Sequence, residues 1–457
     1  MKLIESIFRE YDIRGTYPKE INEVSIAKIG KAIALKCKKE KVTEICVGRD
    51  GRLSGETLLN AMCESLSESG LDVVNIGLVT SPILYYAAKK NNSKSGVMIT
   101  GSHNPKDDNG IKLVINDKPV SGTEILSLTR SDNDNQELGK ITYNDNIVDD
   151  YISEVVHKIK LNEQNRIKVV IDCGNGAAGI VAPKLFQKLG CDVVNLFSEV
   201  DGNFPNHHPD PGKLANLQDL IVSVKRENAD LGIAFDGDGD RVGLVTKSGE
   251  VVFPDKLMML FSKDILTKNK GGEIIFDVKC SNALGNIIKE NGGTPIMSPT
   301  GHFHIKNALR KTKALLAGEM SGHIFFNDHW YGFDDGHYAA VRILDLLSRS
   351  NSSIGKMIDD LPKSFSTPEL NINVSDENKF TVIDKFIKEC SLDGEKITID
   401  GLRIEFDDGW GLLRASNTTP KLVLRFEGNT EQALTSIQTD FINELKRICP
   451  EIDVALH

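Results

Sequence analysis

Three aspartates separated by single glycines form the most chemically specific stretch of this sequence. They are Asp236, Asp238 and Asp240 in the segment FDGDGDR. Glycine lets the backbone curl tightly, so the three carboxylates can converge on one cation, and their hard oxygens suit Mg²⁺. An EF-hand does not fit, because Arg241 stands where the loop needs its glycine and Lys247 where it needs its final glutamate. The segment therefore predicts a magnesium site.

A second candidate for chemistry is Ser102, which follows an apolar run in the segment VMITGSHNP. The nucleophile turn of hydrolases, G-x-S-x-G, would need glycine at positions that hold threonine and asparagine here. An adjacent Ser-His pair also rarely has the geometry in which His103 accepts the proton of its neighbour. A hydrolase nucleophile is therefore disfavoured. A polar turn closed by Asn104 and Pro105 stays open, as does a loop that acts together with the aspartates.

The segment CGNGAAG, residues 173–179, contains the pattern G-x-G-x-x-G between a predicted strand and a predicted helix. This arrangement is typical of dinucleotide binding. The following strand, DVVNLF, lacks an acidic residue at its end to bind the ribose, although Asp192 stands at its start. An NAD-dependent oxidoreductase is therefore kept as an alternative to a simple turn whose glycines serve packing. The sequence has no G-x-x-x-x-G-K-[ST] pattern, so an NTP-binding P-loop is not indicated.

Two further segments carry groups that bind phosphate or sugar hydroxyls. RASNTTPKLVLR begins and ends with Arg414 and Arg425, which enclose hydroxyl, amide and main-chain donors able to hold a phosphate dianion. GEMSGH places Glu319, Ser321 and His323 on one loop, where they can exchange hydrogen bonds with sugar hydroxyls. Taken alone, the first segment could equally be a hairpin with a charged rim, and the second is ambiguous.

The elements that must position these residues recur three times along the chain. Each copy runs from an apolar strand ending in aspartate, through a helix and a second strand, to a third strand followed by a polar loop. The first strands are EICVGRD, IKVVID and GEIIFD, and the loops after the third strands are TGSHNP, FDGDGDR and GEMSGH. Alternating strands and helices predict mixed or parallel sheets, whose ligands lie beyond the carboxyl ends of the strands. The three loops are therefore expected to face one cleft.

The predicted fold class is α/β, with three similar mixed α/β domains of repeated βαβαβ units and a smaller C-terminal α+β domain around a central cleft. In the last part of the chain, short strands with Asp-Gly turns precede an amphipathic helix, which indicates the change of fold. The predicted domains are residues 1–150 with the serine loop, 151–252 with the aspartate loop, 253–365 with the GEMSGH loop, and 366–457 with the RASNTT loop.

Composition narrows the function classes. The 457 residues are 40% hydrophobic and 26% charged, which is typical of a globular protein and not of a disordered or fibrous one. The formal net charge of −10 disfavours nucleic acid as a partner, so an anionic substrate needs a local cluster of lysine and arginine. The eight cysteines include no C-x-x-C pair, which indicates neither a zinc site nor a disulfide framework. No signal peptide or membrane span is recognisable in the sequence, and we expect a cytoplasmic location.

Taken together, the motifs resemble those of the α-D-phosphohexomutase superfamily, most closely its bacterial phosphomannomutase/phosphoglucomutase group. The shared segments follow the family's order: FREYDIRG, TGSHNP, GIKL, FPNHHPDPGKLANL, FDGDGDR, TGH, GEMSGH, GFDDG and RASNTTPKLVLRFEG. The resemblance implies a Mg²⁺-dependent monomer or homodimer that interconverts hexose 1-phosphate and hexose 6-phosphate, of mannose or glucose. The phosphoryl group would pass through a phosphoserine and a hexose 1,6-bisphosphate. Phosphoglucosamine mutase is an alternative, although glucosamine-specific relatives usually carry glutamine where this chain has Met320, and a non-catalytic sugar-phosphate sensor is another.

The resemblance also implies roles for individual residues. Ser102 would carry the phosphoryl group, and its phosphate would join Asp236, Asp238 and Asp240 as a ligand of Mg²⁺. The other implied site residues are His103 and Lys112 for proton transfer with Arg14 beside them, Tyr11 and Arg241 as lining of the cleft, Glu319, Ser321 and His323 for the sugar hydroxyls, and Arg414, Ser416, Asn417, Thr418 and Arg425 for the distal phosphate.

One position departs from the family pattern. Many relatives place a lysine just before TGH, whereas this chain has Pro299 there. A hydrogen-bond donor to the substrate is therefore either missing or supplied by Lys306 or His304.

Overall fold

The computed structural model describes residues 3–130, 137–417, 419–452 and 454. These residues form four β-sheets, and helices pack against each of them. Among the helices in these ranges, none is both long enough and apolar enough to span a lipid bilayer.

The first domain has a mixed sheet in the order β1-β5-β4-β2-β3-β7, with β6 beside β5. Its strands are β1 Ile13–Thr16, β2 Glu44–Arg49, β3 Asp72–Leu78, β4 Gly96–Ile99, β5 Asp108–Ile115, β6 Lys118–Pro119 and β7 Ile141–Tyr143. Its helices are a 3₁₀ turn at Glu5–Ile7, α1 Glu23–Lys39, α2 Gly55–Glu68, α3 Ser81–Lys90 and α4 Gly122–Leu128. Helix α1 begins at a reciprocal capping box between Asn22 and Ser25, which satisfies the free amides of its first turn.

The second domain has a five-stranded sheet in the order β12-β11-β10-β8-β9. Its elements are α5 Ile147–Lys158, β8 Lys168–Asp172, α6 Ala182–Lys188, β9 Asp192–Leu196, α7 Gln218–Arg226, β10 Leu231–Phe235, β11 Val242–Thr246 and β12 Val251–Val252, with 3₁₀ turns at Ala177–Ile180 and Leu214–Leu217. Every residue of β10 and β11 is buried, because helices cover one face of this part of the sheet and the neighbouring domains the other.

The third and fourth domains have sheets in the orders β14-β13-β15-β16 and β17-β22-β21-β20-β19, with β18 beside β22 in the latter. The third domain consists of α8 Pro254–Lys268, β13 Glu273–Asp277, α9 Asn282–Glu290, β14 Thr294–Ser298, α10 His302–Thr312, β15 Leu316–Gly318, β16 Ile324–Phe326, α11 Gly336–Arg349 and α12 Ile354–Asp359. The fourth consists of β17 Phe365–Ser366, β18 Leu370–Asn373, α13 Asp376–Glu389, β19 Glu395–Ile397, β20 Leu402–Phe406, β21 Gly409–Ala415, β22 Lys421–Gly428 and α14 Glu431–Ile448.

The predicted threefold repeat is confirmed by the strand pairing. Within the first three sheets, the orders β3-β2-β4-β5, β9-β8-β10-β11 and β14-β13-β15-β16 are equivalent. In each unit the first three strands are parallel and the fourth is antiparallel to the third. The loops after β4, β10 and β15 therefore leave equivalent edges of their sheets, as the sequence predicted.

Two predicted domain limits fall inside regular elements. The limit between residues 150 and 151 lies within α5, which packs against both α3 and α6. The limit between residues 365 and 366 lies within β17, which pairs with β22 of the fourth sheet. The sequence contains no polar linker at either place, so the exact limits stay predictions.

An apolar core runs without interruption through the first three domains. Aromatic side chains join them: Tyr86 stacks on Trp330 with ring centroids 6.2 Å apart, and Trp330 stacks on Tyr338 at 4.5 Å. Tyr151 of α5 meets Trp330 edge-on at 5.7 Å. Because this junction is packed, the three polar loops have fixed positions relative to one another.

Candidate active site

The aspartate loop connects β10 to β11 and is fully buried. One carboxylate oxygen each of Asp236, Asp238 and Asp240 can be chosen so that all lie within 4.8 Å of one another. Gly239 has a φ of +74°, and a Cβ there would lie 2.9 Å from His337 Nε2, so glycine is required at this point of the turn. A Cβ on Gly237 would lie 2.5 Å from the carbonyl oxygen of Ser102, because the serine loop packs directly on the aspartate loop.

The aspartate loop fits a divalent metal ion such as Mg²⁺. Its three potential ligands all offer carboxylate oxygen, which is the donor that Mg²⁺ prefers. Asp238 Oδ1 is buried and accepts no hydrogen bond within the described ranges, so this oxygen is available to coordinate a metal ion. Asp240 also belongs to a second cluster with His323 and Asp334. The imidazole in that cluster makes it less suited to Mg²⁺.

Ser102 lies at the tip of the loop after β4, in direct contact with the aspartates. Its φ is +49°, an uncommon conformation for a residue with a side chain, and it is 2% exposed. Its Oγ lies 3.1 Å from Asp236 Oδ2 and 3.2 Å from His103 Nδ1. The fold thus brings together the two motifs that looked most reactive in the sequence.

Lys112 of β5 contacts the aspartates. Its Nζ donates to Asp238 Oδ2 at 2.7 Å and to Asp240 Oδ2 at 2.5 Å. Burial lowers the pKa of Lys112, but the two carboxylates outweigh burial and hold the pKa well above its ordinary value. Lys112 is therefore a permanent positive charge beside the aspartate loop.

Two arginines and a histidine complete this end of the cleft. Burial and the positive charge of Arg241 hold the pKa of His103 well below its ordinary value, which favours the neutral imidazole. The backbone N–H of Arg241 donates to Asp236 Oδ1 at 3.1 Å. Arg14 donates to Asn104 Oδ1 at 2.6 Å within the serine loop. Arg14, which is also paired with Asp12 at 2.6 Å, and Arg241, whose Nε lies 3.9 Å from Asp236 Oδ2, therefore bring guanidinium groups to the serine and aspartate loops from two domains.

The GEMSGH loop meets the aspartate loop from the third domain. His323 Nε2 lies 3.3 Å from Asp240 Oδ1, and its Nδ1 is 2.9 Å from Ser321 Oγ. Burial lowers the pKa of His323, but Asp240 outweighs burial and the net effect raises it to about 9. Glu319 Oε1 accepts from the backbone N–H of Gly301 at 2.6 Å. All three predicted sugar-binding residues therefore lie at one edge of the cleft.

The RASNTT segment of the fourth domain begins with the last two residues of β21 and continues into the loop that follows. Arg414 Nε donates to Asp400 Oδ2 at 2.9 Å, and Ser416 Oγ accepts from the backbone N–H of Thr419 at 3.2 Å. Asn417 Nδ2 donates to the hydroxyl of Tyr11 in the first domain. Thr418 lies outside the described residues.

Arg425, like Arg414, has its guanidinium engaged inside the protein. It is 2% exposed, donates to the carbonyl oxygen of Lys279, and lies 3.6 Å from Asp255 Oδ2. Its ring contact is with Trp410, with the guanidinium carbon 5.8 Å from the centroid. These contacts fix the fourth domain to the third, so a phosphate contact for Arg425 stays a prediction.

Arg52 is a residue that the sequence analysis missed. Its guanidinium donates to the backbone carbonyls of four residues in and beside the serine loop, at 2.5 to 2.9 Å: Ser102, Asn104, Pro105 and Asp108. One fully buried side chain therefore fixes the whole loop. The available signal was its position, two residues after the aspartate that follows the first strand of the repeat.

Lys279 occupies the equivalent position in the third unit and was also missed. Its Nζ lies 2.5 Å from Glu369 Oε1 and 4.0 Å from Asp277 Oδ2. His302 is a second omission, with a buried Nδ1 that has no hydrogen-bond partner among the described residues and a ring 6.3 Å from that of Tyr11. Lys279, which follows the end of β13, is therefore a cation that the third domain adds to the site.

The donors proposed to compensate for Pro299 have partners elsewhere. Lys306 Nζ lies 2.6 Å from Asp334 Oδ1, and His304 Nε2 lies 3.7 Å from Glu10. Both side chains are therefore engaged in the structure, and their contact with a substrate stays a prediction.

The glycine-rich turn CGNGAAG packs on the aspartate loop. The backbone N–H of Ala177 donates to the carbonyl of Gly237 at 2.9 Å, and a Cβ on Gly176 would lie 2.8 Å from the same oxygen. In a dinucleotide site this amide would face a pyrophosphate. The contacts favour the interpretation that these glycines serve packing.

Four family models match consecutive parts of the chain. They describe phosphoglucomutase/phosphomannomutase alpha/beta/alpha domain I over residues 5–135, domain II over 149–249 and domain III over 253–365, and the C-terminal domain over 369–444. The matches follow one another in order and together cover most of the sequence.

Individual relatives show similarity over the whole length. A phosphomannomutase/phosphoglucomutase of Pseudomonas syringae pv. tomato is 50% identical, over 99% of this chain and 97% of the relative. A phosphoglucomutase of Neisseria gonorrhoeae is 48% identical over 96% of each chain. The crystal structure of a phosphoglucomutase/phosphomannomutase family protein from Burkholderia thailandensis matches with a TM-score of 0.91 and 43% identity, over 99% of both chains.

Proposed function

The chain belongs to the phosphoglucomutase/phosphomannomutase family, and we propose that it interconverts the 1-phosphates and 6-phosphates of mannose and glucose through a phosphoryl group carried on Ser102. The observation that carries the proposal is the contact between Ser102 Oγ and the Asp236 carboxylate at 3.1 Å. A serine aimed at three buried carboxylates has little use as a hydrolase nucleophile. It is well suited to hold a phosphoryl group beside a metal ion.

In the first half of the reaction, phosphorylated Ser102 gives its phosphoryl group to the free hydroxyl of a hexose monophosphate. The P–Oγ bond breaks, a bond from phosphorus to the sugar oxygen forms, and a hexose 1,6-bisphosphate results. The sugar then turns end for end and returns its other phosphoryl group to Ser102. His103 Nδ1 lies 3.2 Å from Ser102 Oγ, where it can exchange the proton that the serine or the sugar hydroxyl gains or loses.

Charge on the transferred group is balanced by residues from two domains. Lys112, held by two aspartates, and the Arg241 guanidinium, whose Nε lies 3.9 Å from Asp236 Oδ2, supply positive charge that is already in place before the transfer. Mg²⁺ bound by Asp236, Asp238 and Asp240 would neutralise further charge on the phosphoryl oxygens. Arg52 holds the carbonyls of the serine loop, so Ser102 keeps one orientation during both transfers.

At the other end of the cleft, Arg414, Ser416 and Asn417 would bind the phosphate that does not react. A guanidinium recognises phosphate without reading the ring, so the same seat accepts the sugar in either orientation. Glu319 and His323 would read the hydroxyls between the two ends. The cytoplasmic location, the monomeric or dimeric state and the absence of a nucleic-acid partner stay predictions from the sequence.

The decisive experiment is the substitution Ser102→Ala. We expect mutase activity to fall by at least about 10⁴-fold and the phosphate found by intact mass on the protein to disappear. Ser81→Ala is the matched control, because it removes another buried hydroxyl that bonds to Asp238 at 2.5 Å while leaving the carrier in place. Near-normal turnover of Ser102→Ala would refute the assignment.

Sugar preference is tested by comparing turnover of mannose 1-phosphate, glucose 1-phosphate and glucosamine 1-phosphate, with Mg²⁺ and a trace of bisphosphate. We expect the first two to be favoured, since relatives at about half identity carry those names, whereas a probable phosphoglucosamine mutase of Methanosphaera stadtmanae is 33% identical. A strong preference for the amino sugar would overturn this choice.

A further inference from the structure

A cavity of about 240 Å³ lies between the first and third domains, beside the candidate active site. One side is formed by α3 and β5 of the first domain, and the other by α10 and residues 327–333 of the third. Its buried end reaches Lys112, and its open end is surrounded by the exposed side chains of Lys94, Arg310 and Lys313. The cavity is smaller than the roughly 300–1,000 Å³ pockets that hold drug-sized ligands, so it suits a small molecule.

The open end has a positive charge that the described residues leave unneutralised. Lys89, which also lines the cavity, is paired with Asp117 at 2.6 Å. Lys94, Arg310 and Lys313 make no ion pair with an acidic side chain in the ranges that the structure describes. In a chain with a net charge of −10, three such cations around one cavity form a local site for an anion.

The position of the cations is not explained by helix capping alone. Arg310 and Lys313 lie at the C-terminal end of α10, where positive side chains interact favourably with the helix dipole. Lys94 belongs to a turn of the other domain, between α3 and β4. Cations from two domains therefore converge on the same opening. Lys311, in the last turn of α10, is not among the lining residues and serves as an internal reference.

Part of the wall beyond the opening is apolar and aromatic, and Lys112, His302 and Asn327 add polar groups at other points of the wall. Tyr85 and Phe333 form part of it, with ring centroids 5.8 Å apart, and Leu309 adds an aliphatic surface. Lys306, whose ammonium lies 3.7 Å from the Tyr85 centroid, is neutralised by Asp334. A ligand with one charged end and one uncharged end matches this gradient.

We propose that this cavity binds a small phosphomonoester, with its phosphate on Lys94, Arg310 and Lys313 and its uncharged part against Tyr85 and Phe333. A hexose monophosphate has this chemistry and so does a nucleoside monophosphate. The bound molecule would join the first domain to the third just behind Lys112. The proposed phosphate seat is separate from the one at Arg414, although Tyr11, Lys112 and His302 border both the cavity and the candidate active site, and the proposal does not depend on the mutase activity of the chain.

The test is acetylation of lysines by a limiting reagent, followed by mass spectrometry of the full chain with and without ligand. Inorganic phosphate, glucose 6-phosphate and adenosine monophosphate are the probes, each at up to about 10 mM, a concentration that saturates a millimolar site. Arg414→Ala is used as background to weaken phosphate binding in the cleft. We expect at least one probe to lower the reactivity of Lys94 and Lys313 by roughly threefold or more, with Lys311 unchanged.

Variants make the result specific to the cavity. In Arg310→Gln the protection of Lys94 and Lys313 should be lost, whereas Lys311→Gln, which removes the same charge from the same helix end, should retain it. Protection by phosphate alone indicates an anion seat, and stronger protection by one organic probe identifies the preferred ester. Unprotected Lys94 and Lys313 with all three probes, or equal protection of Lys311, would overturn the proposal, even if the enzyme is fully active.

Discussion

Charged groups are buried at both ends of the cleft, but at the Ser102 end each has several partners, whereas Arg414, near the end of β21, is held by few contacts. Asp238 alone accepts from Ser81, Thr100 and Lys112. Within the part of the chain that the structure describes, the Arg414 side chain makes one hydrogen bond to another side chain, that of Asp400. The first end combines residues of two domains, and the second combines one loop with Tyr11 across the opening.

This difference matches what each end has to do. Phosphoryl transfer depends on fixed geometry and on charges that need no rearrangement, which buried networks provide. A seat that receives two different ends of a sugar needs charge without a rigid shape. We therefore expect substitutions at the Ser102 end to change mainly kcat, and substitutions at the Arg414 end to change mainly KM.

After Ser102→Ala, the largest effect is expected at the aspartates proposed to bind the metal ion. Asp238→Asn removes a buried charge that Lys112 contacts at 2.7 Å, and chelation of divalent cations by EDTA removes the ion itself. Each should lower kcat by at least about 10³-fold, because the phosphoryl oxygens lose their main counter-charge. Steady-state kinetics and calorimetric Mg²⁺ titration measure the two losses. Full activity in EDTA would contradict the metal assignment. A loss of activity in EDTA that added Mg²⁺ does not restore would contradict it as well.

The next largest effect is expected for Arg52, which contacts the serine loop only through backbone carbonyls. Arg52→Gln should lower kcat roughly 10- to 100-fold with little change in KM, because Ser102 is no longer held in line with its acceptor. Arg52→Lys should restore part of the rate, and added guanidinium should partly rescue Arg52→Gln. A proportional rise in KM without loss of kcat would show that Arg52 belongs to the binding end instead.

A smaller effect is expected at Arg414. Arg414→Lys keeps the charge but loses the planar fork, so KM for the hexose phosphate should rise about tenfold while kcat stays within about threefold. Asp400→Asn, which releases the Arg414 side chain from its 2.9 Å partner, is the matched control and should shift KM less. If kcat falls more than KM rises, the division between the two ends is wrong.

The smallest effect concerns the stability of the fourth domain, which carries the Arg414 loop. Arg447 and Ser391 bond to Glu444 and lower the pKa of its carboxyl to about 2 from 4.5. A lowered pKa means that the carboxylate stabilises the fold fully above pH 4.5 and loses this contribution as the pH falls toward 2. Glu444→Gln should therefore lower Tm by about 2–4 °C at neutral pH. In thermal melts the difference from the parent should shrink below pH 4.5, and a difference that persists at pH 2 would contradict it.

The sequence revealed the parts of the site that lie on polar loops after repeated strands. The threefold pattern is visible because its first strands are apolar runs that end in aspartate, and this pattern predicts that Ser102 and Asp236 face one cleft. The sequence did not indicate the roles of Arg52 and Lys279, because nothing in the local sequence distinguishes a buried arginine or lysine from an exposed one. Their roles arise from carbonyls and carboxylates that approach only in three dimensions.

The domain boundaries and the direction of the Arg425 side chain were harder to predict, because both depend on contacts between distant parts of the chain. The helix α5 crosses the predicted limit at residue 150, and its Tyr151 packs on Trp330 of the third domain. The local sequence around residue 150 does not predict this contact. Arg425 stands in a motif with Arg414 and lies on the same face of the sheet, because it pairs with Leu412, two residues before Arg414 in β21. Its side chain points toward Lys279 and Asp255 at the domain junction.

The four domains enclose the cleft through joints of unequal kind. Main-chain groups join the first domain to the second, where Ser81 N–H donates to Asp238, and the second to the third, where Gly336 N–H donates to Gly239. The fourth is joined to the third by Arg403, which donates to carbonyls in the turn after β13. The Tyr11–Asn417 contact between the fourth domain and the first is made by two side-chain tips. Because two side-chain tips separate more easily than main-chain hydrogen bonds, the Tyr11–Asn417 contact is the joint at which we expect the cleft to open.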